Sequence, residues 1–349
     1  NQLISVTVDD LGLWCNYAQL YRDLAWTYKE GILAEHCTPE QMAEYNFEGI
    51  MSGDPTSFIK ILLDIASNDT KNKPISWLGH GPYVWADKDH WNRPDWFENK
   101  TSALINYRGW PVHHAAECYA QVGLLYNMMF NRDDMIHSAV NFQGCGLPFE
   151  LKQQIAAEVW GDASAIDPDK NYTPMNEYKA NFAWWSIVTD VLHDSLTLCN
   201  WVWPMTMSPT KARDYRGDLD LEAKFMKAVT GEDVTTEDLY KMGAKITTLQ
   251  RANTARGMVG ANGQMGTNDF RNVHDVVTEW PFTMDPDIEV FTEGTNKMDK
   301  EDFQTALTMM YECFGWDPEL GCPTAECLDY YDMPDVKEDL AALGLLPDA

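Results

Sequence analysis

Two short strings of the sequence combine an aspartate with a residue that can turn the chain. In the first, Asp9 precedes Gly12 by three positions, and in the second Asp194 has the same spacing to Thr197. If each string ends in a turn, its carboxylate could accept hydrogen bonds from the amino and ring N–H groups of a flat heterocycle such as a pterin. Glycine at the turn would let the backbone approach that ligand closely. Either string alone arises by chance in large proteins, so the pairing is the informative feature.

The eight cysteines of the chain show no spacing that defines a site by itself. They are scattered over 349 residues, and no two of them form a Cys-x-x-Cys pair. This distribution argues against a zinc knuckle and against a disulfide framework. It indicates reduced thiols in a reducing compartment, and we therefore expect a cytoplasmic protein.

The charge of the chain limits its partners. Asp and Glu number 54 against 26 Lys and Arg, which gives a formal net charge of −28. Such a surface repels phosphate backbones and anionic membranes, so we expect neither nucleic-acid binding nor membrane insertion. No apolar run approaches the roughly 20 residues of a membrane-spanning helix, and the sequence does not open with a signal peptide. Because the first residue is Asn1 rather than Met, we expect a piece of a larger polypeptide.

The elements that must position these residues are predicted to be helices. Apolar residues recur at helical spacing over several stretches, and no strand-rich block separates them. Thr235 and Asp238 have the spacing of a capping box, which predicts a helix start. The stretches 67–96 and 261–287 are rich in turn-forming residues and are predicted to be irregular. The predicted helices cover 18–33, 58–65, 119–130, 148–160, 181–198, 235–249 and 303–314.

Taken together, the two strings resemble the paired pterin-binding motifs of the aldehyde:ferredoxin oxidoreductase family, Asp-x-x-Gly-Leu-Asp and Asp-x-x-Gly-Leu-Cys. Other segments resemble the family in the same order along the chain. Residues 123–142 resemble the segment that brings a histidine to the metal, 226–258 the helix after the second motif, and 315–328 the C-terminal signature. The strings Gly-Leu-Trp-Cys-Asn-Tyr and Thr-Leu-Cys-Asn-Trp-Val-Trp-Pro further resemble an enterobacterial branch. The resemblance spans nearly the whole chain.

The resemblance implies a tungsten or molybdenum atom shared by two pyranopterins, one at each motif. It implies that Cys199 is the last ligand of a [4Fe–4S] cluster. It also implies that His137 accepts a proton or donates a hydrogen bond at the substrate oxygen, with a structural histidine as the alternative. For Cys15, a metal-bound thiolate and a buried structural thiol both stay open. The residues implied to bind the pterins are Asp9, Gly12, Leu13, Asp194, Thr197 and Leu198.

The resemblance also implies a fold. The chain should be all-α, with one helical domain over 1–107 that carries the first motif and another over 108–349 that carries the second motif and the cluster cysteine. The Cys-x-x-Cys-x-x-x-Cys run of the family does not occur in this sequence. We therefore expect the other three cluster ligands upstream of Asn1, with a β domain, in the same enzyme or in a companion chain. Two residues depart from the family pattern: Trp14 replaces Asp and Thr197 replaces Gly.

The activity that the resemblance implies is oxidation of an aldehyde to a carboxylic acid. Water would supply the oxygen, and electrons would pass through the cluster to a ferredoxin-like carrier. Two alternatives stay open, namely reduction of a non-aldehyde substrate such as an aryl-CoA and a non-catalytic helical scaffold subunit. The sequence also leaves open which metal is used and whether the protein forms a homodimer.

Overall fold

The chain divides into two compact units in its computed structural model. The first is formed by Asn1–Ile105 with Trp110–His113, and the second by Asn106–Gly109 with His114–Ala349. The domain boundary predicted after residue 107 falls outside the described residues and stays a prediction. The structure describes residues 2–13, 19–98, 104–105, 111–112, 120–129, 142, 145–168, 173–198, 206–208, 210–276 and 300–347.

Short helices that follow one another closely make up the first unit. They are α1 (Gln2–Asp10), α2 (Gln19–Lys29), α3 (Ile32–His36), α4 (Pro39–Ala43), α5 (Phe47–Ser52), α6 (Pro55–Ala66), a 3₁₀ helix (Pro74–His80), α7 (Pro82–Trp85) and α8 (Asp95–Glu98). The single helix predicted over 18–33 is instead divided into α2 and α3, because Gly31 between them adopts a φ of 77°. A residue in that left-handed conformation ends a helix.

The core of the first unit anchors α1. Val8, the buried residue of α1, belongs to the same apolar cluster as Phe58 and Ile61 of α6, and the two helices are in contact. Trp96 of α8 is buried in this cluster and donates a hydrogen bond from Nε1 to Asp23 Oδ1 at 2.9 Å. The end of α1 is therefore fixed by burial of its inner face.

A two-stranded antiparallel ribbon is the only sheet among the described residues. Strand β1 (Leu104–Ile105) pairs with β2 (Pro111–Val112), with Leu104 opposite Val112 and Ile105 opposite Pro111. Each strand has only two residues, so the ribbon does not change the helical class of the chain. The prediction of an all-α fold is confirmed.

One long buried helix forms the centre of the second unit. Its helices are α9 (Ala120–Met129), α10 (Phe149–Trp160), α11 (Glu177–Leu196), α12 (Leu221–Thr230), α13 (Thr236–Gly257), α14 (Phe270–Val273), α15 (Lys300–Phe314), α16 (Ala325–Tyr330) and α17 (Pro334–Ala342), with 3₁₀ helices at Ala163–Ala165 and Lys211–Arg213. The central helix is α11, which contacts α9, α10, α13 and α15. Most of its residues from Lys179 to His193 are buried.

The start of α13 follows the capping signal in the sequence. Thr235 N donates to Asp238 Oδ2 at 3.0 Å, and Asp238 N donates to Thr235 Oγ1 at 3.1 Å. This reciprocal pair is the predicted capping box, and it is confirmed. None of the helices in the described part of the chain combines the length and the apolar character needed to cross a bilayer.

Candidate cofactor-binding turns

The first predicted motif forms a turn at the end of α1. Gly12 adopts a left-handed φ of 64°. Its N–H donates to the carbonyl of Asp9 at 3.0 Å, and the N–H of Leu13 donates to the carbonyl of Val8 at 3.0 Å. These two bonds define a Schellman motif, which satisfies the last carbonyl groups of a helix. A Cβ added at Gly12 would meet no atom within 4 Å, so the backbone conformation rather than lack of space favours glycine.

The second predicted motif forms the same turn at the end of α11. The N–H of Thr197 donates to the carbonyl of Asp194 at 3.4 Å, and the N–H of Leu198 donates to the carbonyl of His193 at 2.9 Å. Thr197 takes the place that glycine has in the first turn, with φ 59° and ψ 33°. The helix predicted over 181–198 therefore ends two residues early. A β-branched residue rarely adopts this conformation, and such strain costs about 1–3 kcal/mol.

Both turns present a carboxylate to solvent from the last turn of a helix. The side chains of Asp9 and Asp194 are exposed, whereas Leu13 packs against the core of the first unit and Leu198 is half-buried. A negative charge at a helix C-terminus is disfavoured, typically by about 0.3–1 kcal/mol. Interaction with the helix dipole therefore does not explain the aspartate in either motif. An exposed carboxylate can instead accept several hydrogen bonds from a ligand.

The strain at Thr197 can be tested by substitution. Thr197→Gly should stabilise the protein by about 1 kcal/mol, because glycine adopts the left-handed conformation without a steric penalty. Gly12→Ala should have the opposite effect, with a loss of about 1 kcal/mol or more. Denaturant unfolding of both variants measures the change. A Thr197→Gly variant less stable than wild type would show that the turn is not strained.

Two buried polar pairs behind the second turn were not predicted. His193 Nε2 donates to Glu222 Oε1 at 2.7 Å, and both side chains are almost fully buried. One turn earlier on α11, Asp190 accepts a hydrogen bond from the hydroxyl group of Tyr126 on α9. The partners lie 29 and 64 residues apart in the sequence, and no local pattern links them. The only sequence feature that points to either pair is the position of His193, directly before the motif residue Asp194.

A buried ion pair holds the C-terminal helices of the second unit together. Arg251 on α13 forms a bidentate contact with Asp275, which also accepts hydrogen bonds from Tyr311 at 2.6 Å and from His274 at 2.7 Å. Burial raises the pKa of Asp275, but the Arg251 charge and the hydrogen bonds outweigh burial, so the pKa lies well below its usual range. Arg251 also donates from Nε to the carbonyl of Gly321 at 2.9 Å. The cluster is structural, because its charges are paired with one another.

Removal of one charge from this cluster should destabilise the fold strongly. Asp275→Asn leaves the Arg251 guanidinium buried without its carboxylate, which should cost about 3–5 kcal/mol. A carboxyl whose pKa is lowered in the folded state adds stability above its unfolded pKa, and this stability is lost as the pH falls towards the folded pKa. The difference between wild type and variant should therefore shrink in acid, below about pH 4.

Denaturant unfolding at several pH values measures the effect of Asp275→Asn. The matched control is Asp339→Asn, because Asp339 pairs with Arg256 at 3.2 Å and both side chains are about half exposed. A surface pair contributes roughly 0–1 kcal/mol, so the control should stay close to wild type. Equal losses in the two variants would contradict the structural role of the buried pair.

The candidate metal ligands and the proton-handling histidine are not among the described residues. Cys15, His137 and Cys199 all lie outside them, so their roles stay predictions. Within the described ranges, no three His, Cys, Asp or Glu side chains gather in a group that could hold a metal ion. The structure thus brings Asp9, Gly12 and Leu13 together in one turn. It brings Asp194, Thr197 and Leu198 together in the other.

An open cavity of about 800 Å³ lies between α11, α13, α15 and α16 of the second unit. Aromatic rings form much of its wall, among them Trp184 and Tyr240. Two cysteines also line it, and burial raises the pKa of Cys313 to about 11 and that of Cys327 to about 12. Both thiols are therefore protonated at neutral pH. The predicted site residues that the structure describes do not line this cavity.

Comparisons with known proteins agree with the helical architecture. The sequence profile of aldehyde ferredoxin oxidoreductase, domains 2 and 3, matches residues 3–333. Among solved structures, the chain is similar to the active-site complex BamBC of benzoyl coenzyme A reductase in complex with 1,5-dienoyl-CoA, with a TM-score of 0.51 and 16% sequence identity. The match covers 95% of this chain and 45% of that chain, and at this identity it shows the fold alone. The profile match extends over nearly the whole sequence, and the chain therefore belongs to the aldehyde ferredoxin oxidoreductase family.

Proposed function

We propose that this chain is the helical portion of a tungsten- or molybdenum-pterin oxidoreductase. The observation that supports the proposal most is the turn shared by both motifs. In each, a helix ends in a Schellman motif whose last turn carries an exposed aspartate, although a negative charge there disfavours the helix. Family membership suggests the class of cofactor, and the two turns provide groups suited to hold it.

Asp9 and Asp194 would bind the two pterins. When bound, the metal–pterin group supplies two-electron redox chemistry. An ionised carboxylate accepts hydrogen bonds and donates none, which matches the amino and ring N–H groups of a pterin. The open space beside Gly12 leaves its backbone accessible to a ligand. The other residues proposed to contact the pterins are Leu13, Thr197 and Leu198.

Three residues outside the described part complete the proposed site. Cys199 directly follows the second turn in sequence and would ligate a [4Fe–4S] cluster. Its other three ligands would come from the N-terminal portion of the same enzyme or from a companion chain. His137 would accept a proton or donate a hydrogen bond at the substrate oxygen. For Cys15, a metal ligand and a structural thiol both remain candidate roles.

For the reaction we propose oxidation of an aldehyde. The aldehyde and one water give a carboxylic acid, two electrons and two protons. The electrons would leave one at a time through the cluster to a ferredoxin-like carrier. The acidic surface of this chain, with a net charge of −28, makes a cationic patch on such a carrier the expected point of contact.

Reduction of an aryl-CoA is the second candidate reaction. It is favoured by the fold similarity to the active-site complex of benzoyl coenzyme A reductase. A thiolate of Cys15 on the metal would also favour it. That complex contains two named components, BamB and BamC, which supports the expectation of a companion chain for this protein as well.

An assay of the intact enzyme with its N-terminal portion separates these reactions. Under anaerobic conditions, aldehyde-dependent reduction of a viologen dye would support the first candidate. Oxidation of reduced dye that depends on an aryl-CoA, without any response to aldehydes, would support the second. If protein that carries metal and pterin turns over neither class of substrate, both reactions are wrong.

A further inference from the structure

The second turn is held in a conformation that its own sequence disfavours. Thr197 has a left-handed φ of 59°, whereas the first turn uses Gly12 at the same place. Strained backbone of this kind persists only where the surrounding structure over-determines it. Contacts from neighbouring residues must therefore hold Thr197 in the left-handed conformation. The first motif needs no such contacts, because glycine adopts this conformation without strain.

A buried polar contact joins α12 to the residue whose carbonyl group closes this turn. The side chains of His193 and Glu222 are 0% and 5% exposed, and Nε2 donates to Oε1 at 2.7 Å. His193 also provides the carbonyl group that accepts the N–H of Leu198 at 2.9 Å, which is the outer bond of the Schellman motif. Because the same residue carries both contacts, a fixed imidazole restrains the peptide that closes the turn.

A second contact from α12, an apolar one, involves the residue that precedes Thr197. Leu196, the residue before Thr197, packs against a small cluster that contains Ala223 of α12 and Leu239 of α13. Elsewhere α12 is a surface helix, and its Val229 is 69% exposed. A carboxylate buried on such a helix is costly unless it is hydrogen-bonded. The one buried acid of α12, Glu222, thus lies where it contacts the strained turn.

We propose that Glu222 is a positioning residue for the second pterin-binding turn. It holds His193 and, through the His193 carbonyl, keeps Thr197 in the left-handed conformation. The carboxylate of Asp194 is thereby oriented for the pterin before the pterin binds. The identity of the bound group rests on the proposed function, whereas the restraint on the turn rests on the contacts that α12 makes with His193 and Leu196.

Hydrogen exchange of the intact enzyme, followed at the amides of Thr197 and Leu198, tests the restraint. Glu222→Ala should raise their exchange rates by about tenfold to a hundredfold, because the buried imidazole of His193 loses this hydrogen-bond partner. The pterin content should fall in the same variant. Addition of Thr197→Gly should restore the pterin content, since glycine adopts the required conformation without support and keeps the backbone groups of Thr197 that would contact the pterin.

The matched control is Lys227→Ala on the same helix, which breaks an exposed ion pair with Asp233 beyond the end of α12 and should change neither quantity. If Glu222→Ala does not fold, Glu222→Asp serves instead. It withdraws the carboxylate by one methylene and should raise the exchange rates of the same amides. Unchanged exchange at the turn would overturn the proposal, and so would a loss of pterin that Thr197→Gly does not restore. If the wild-type protein contains no pterin but Glu222→Ala still raises the exchange rates at the turn, the restraint is supported and the proposed function is wrong.

Discussion

Asp9→Asn should strip one pterin from the intact enzyme, whereas Asp10→Asn should leave it bound. The two aspartates are neighbours on α1 and both are exposed, but only Asp9 belongs to the turn through its carbonyl group. Asparagine replaces one acceptor oxygen by an NH₂ group that faces the N–H donors of the pterin. A hydrogen bond to a charged group contributes about 1.5–3 kcal/mol, so loss of one should weaken binding by roughly 10–10²-fold.

Pterin released on denaturation, together with metal content, measures this effect. Neither variant should lose more than about 0.5 kcal/mol of stability, because both substitutions are on the surface. Asp194→Asn should behave like Asp9→Asn if the second turn has the same role as the first. Equal pterin content in the Asp9 and Asp10 variants would show that the first motif does not bind the cofactor.

His137→Ala should lower turnover by about 10²–10⁴-fold and leave most of the metal in place. The reason is a difference of roles. A carboxylate that binds a pterin holds the cofactor, so its loss empties the site. A histidine that handles a proton at the substrate oxygen does not hold the cofactor, and its loss slows the reaction alone.

The rate per bound metal atom distinguishes this role from the alternative for His137. If the histidine only satisfies a polar group in the protein interior, the variant should lose stability and metal together, with unchanged activity per metal atom. General acid–base catalysis contributes about 10²–10⁴-fold in rate. A rate per metal atom within about threefold of wild type would therefore show that His137 is not catalytic. The Asp9→Asn variant is a useful reference, since there the loss of metal should account for most of the loss of activity.

Features with a local signal could be predicted from the sequence. The capping box of Thr235 and Asp238 depends on residues three positions apart, and it is present. The apolar stretch 119–130 corresponds to α9 at Ala120–Met129, and 148–160 corresponds to α10 at Phe149–Trp160. The glycine in the first motif likewise indicated a turn that could follow an aspartate, because glycine adopts positive φ without strain.

Features that depend on tertiary contacts could not be predicted. The end of α11 at Leu196 was missed because threonine gives no signal for a left-handed conformation. The His193–Glu222 and Arg251–Asp275 pairs join residues 29 and 24 positions apart, on different elements. An acid such as Glu222 looks, in sequence, like any other surface residue of an amphipathic helix, and only packing shows that it is buried.

Analysis of metals and pterin in the intact protein, purified without oxygen and with its N-terminal portion, tests the central claim most directly. The proposed function predicts tungsten or molybdenum, two pterins per metal atom, and about four iron atoms per chain for one [4Fe–4S] cluster. Reduced protein should also show the low-temperature EPR signal of that cluster, and Cys199→Ser should change it. Protein that contains only zinc, or no metal and no pterin, would contradict the proposal and leave a non-catalytic helical scaffold as the better description.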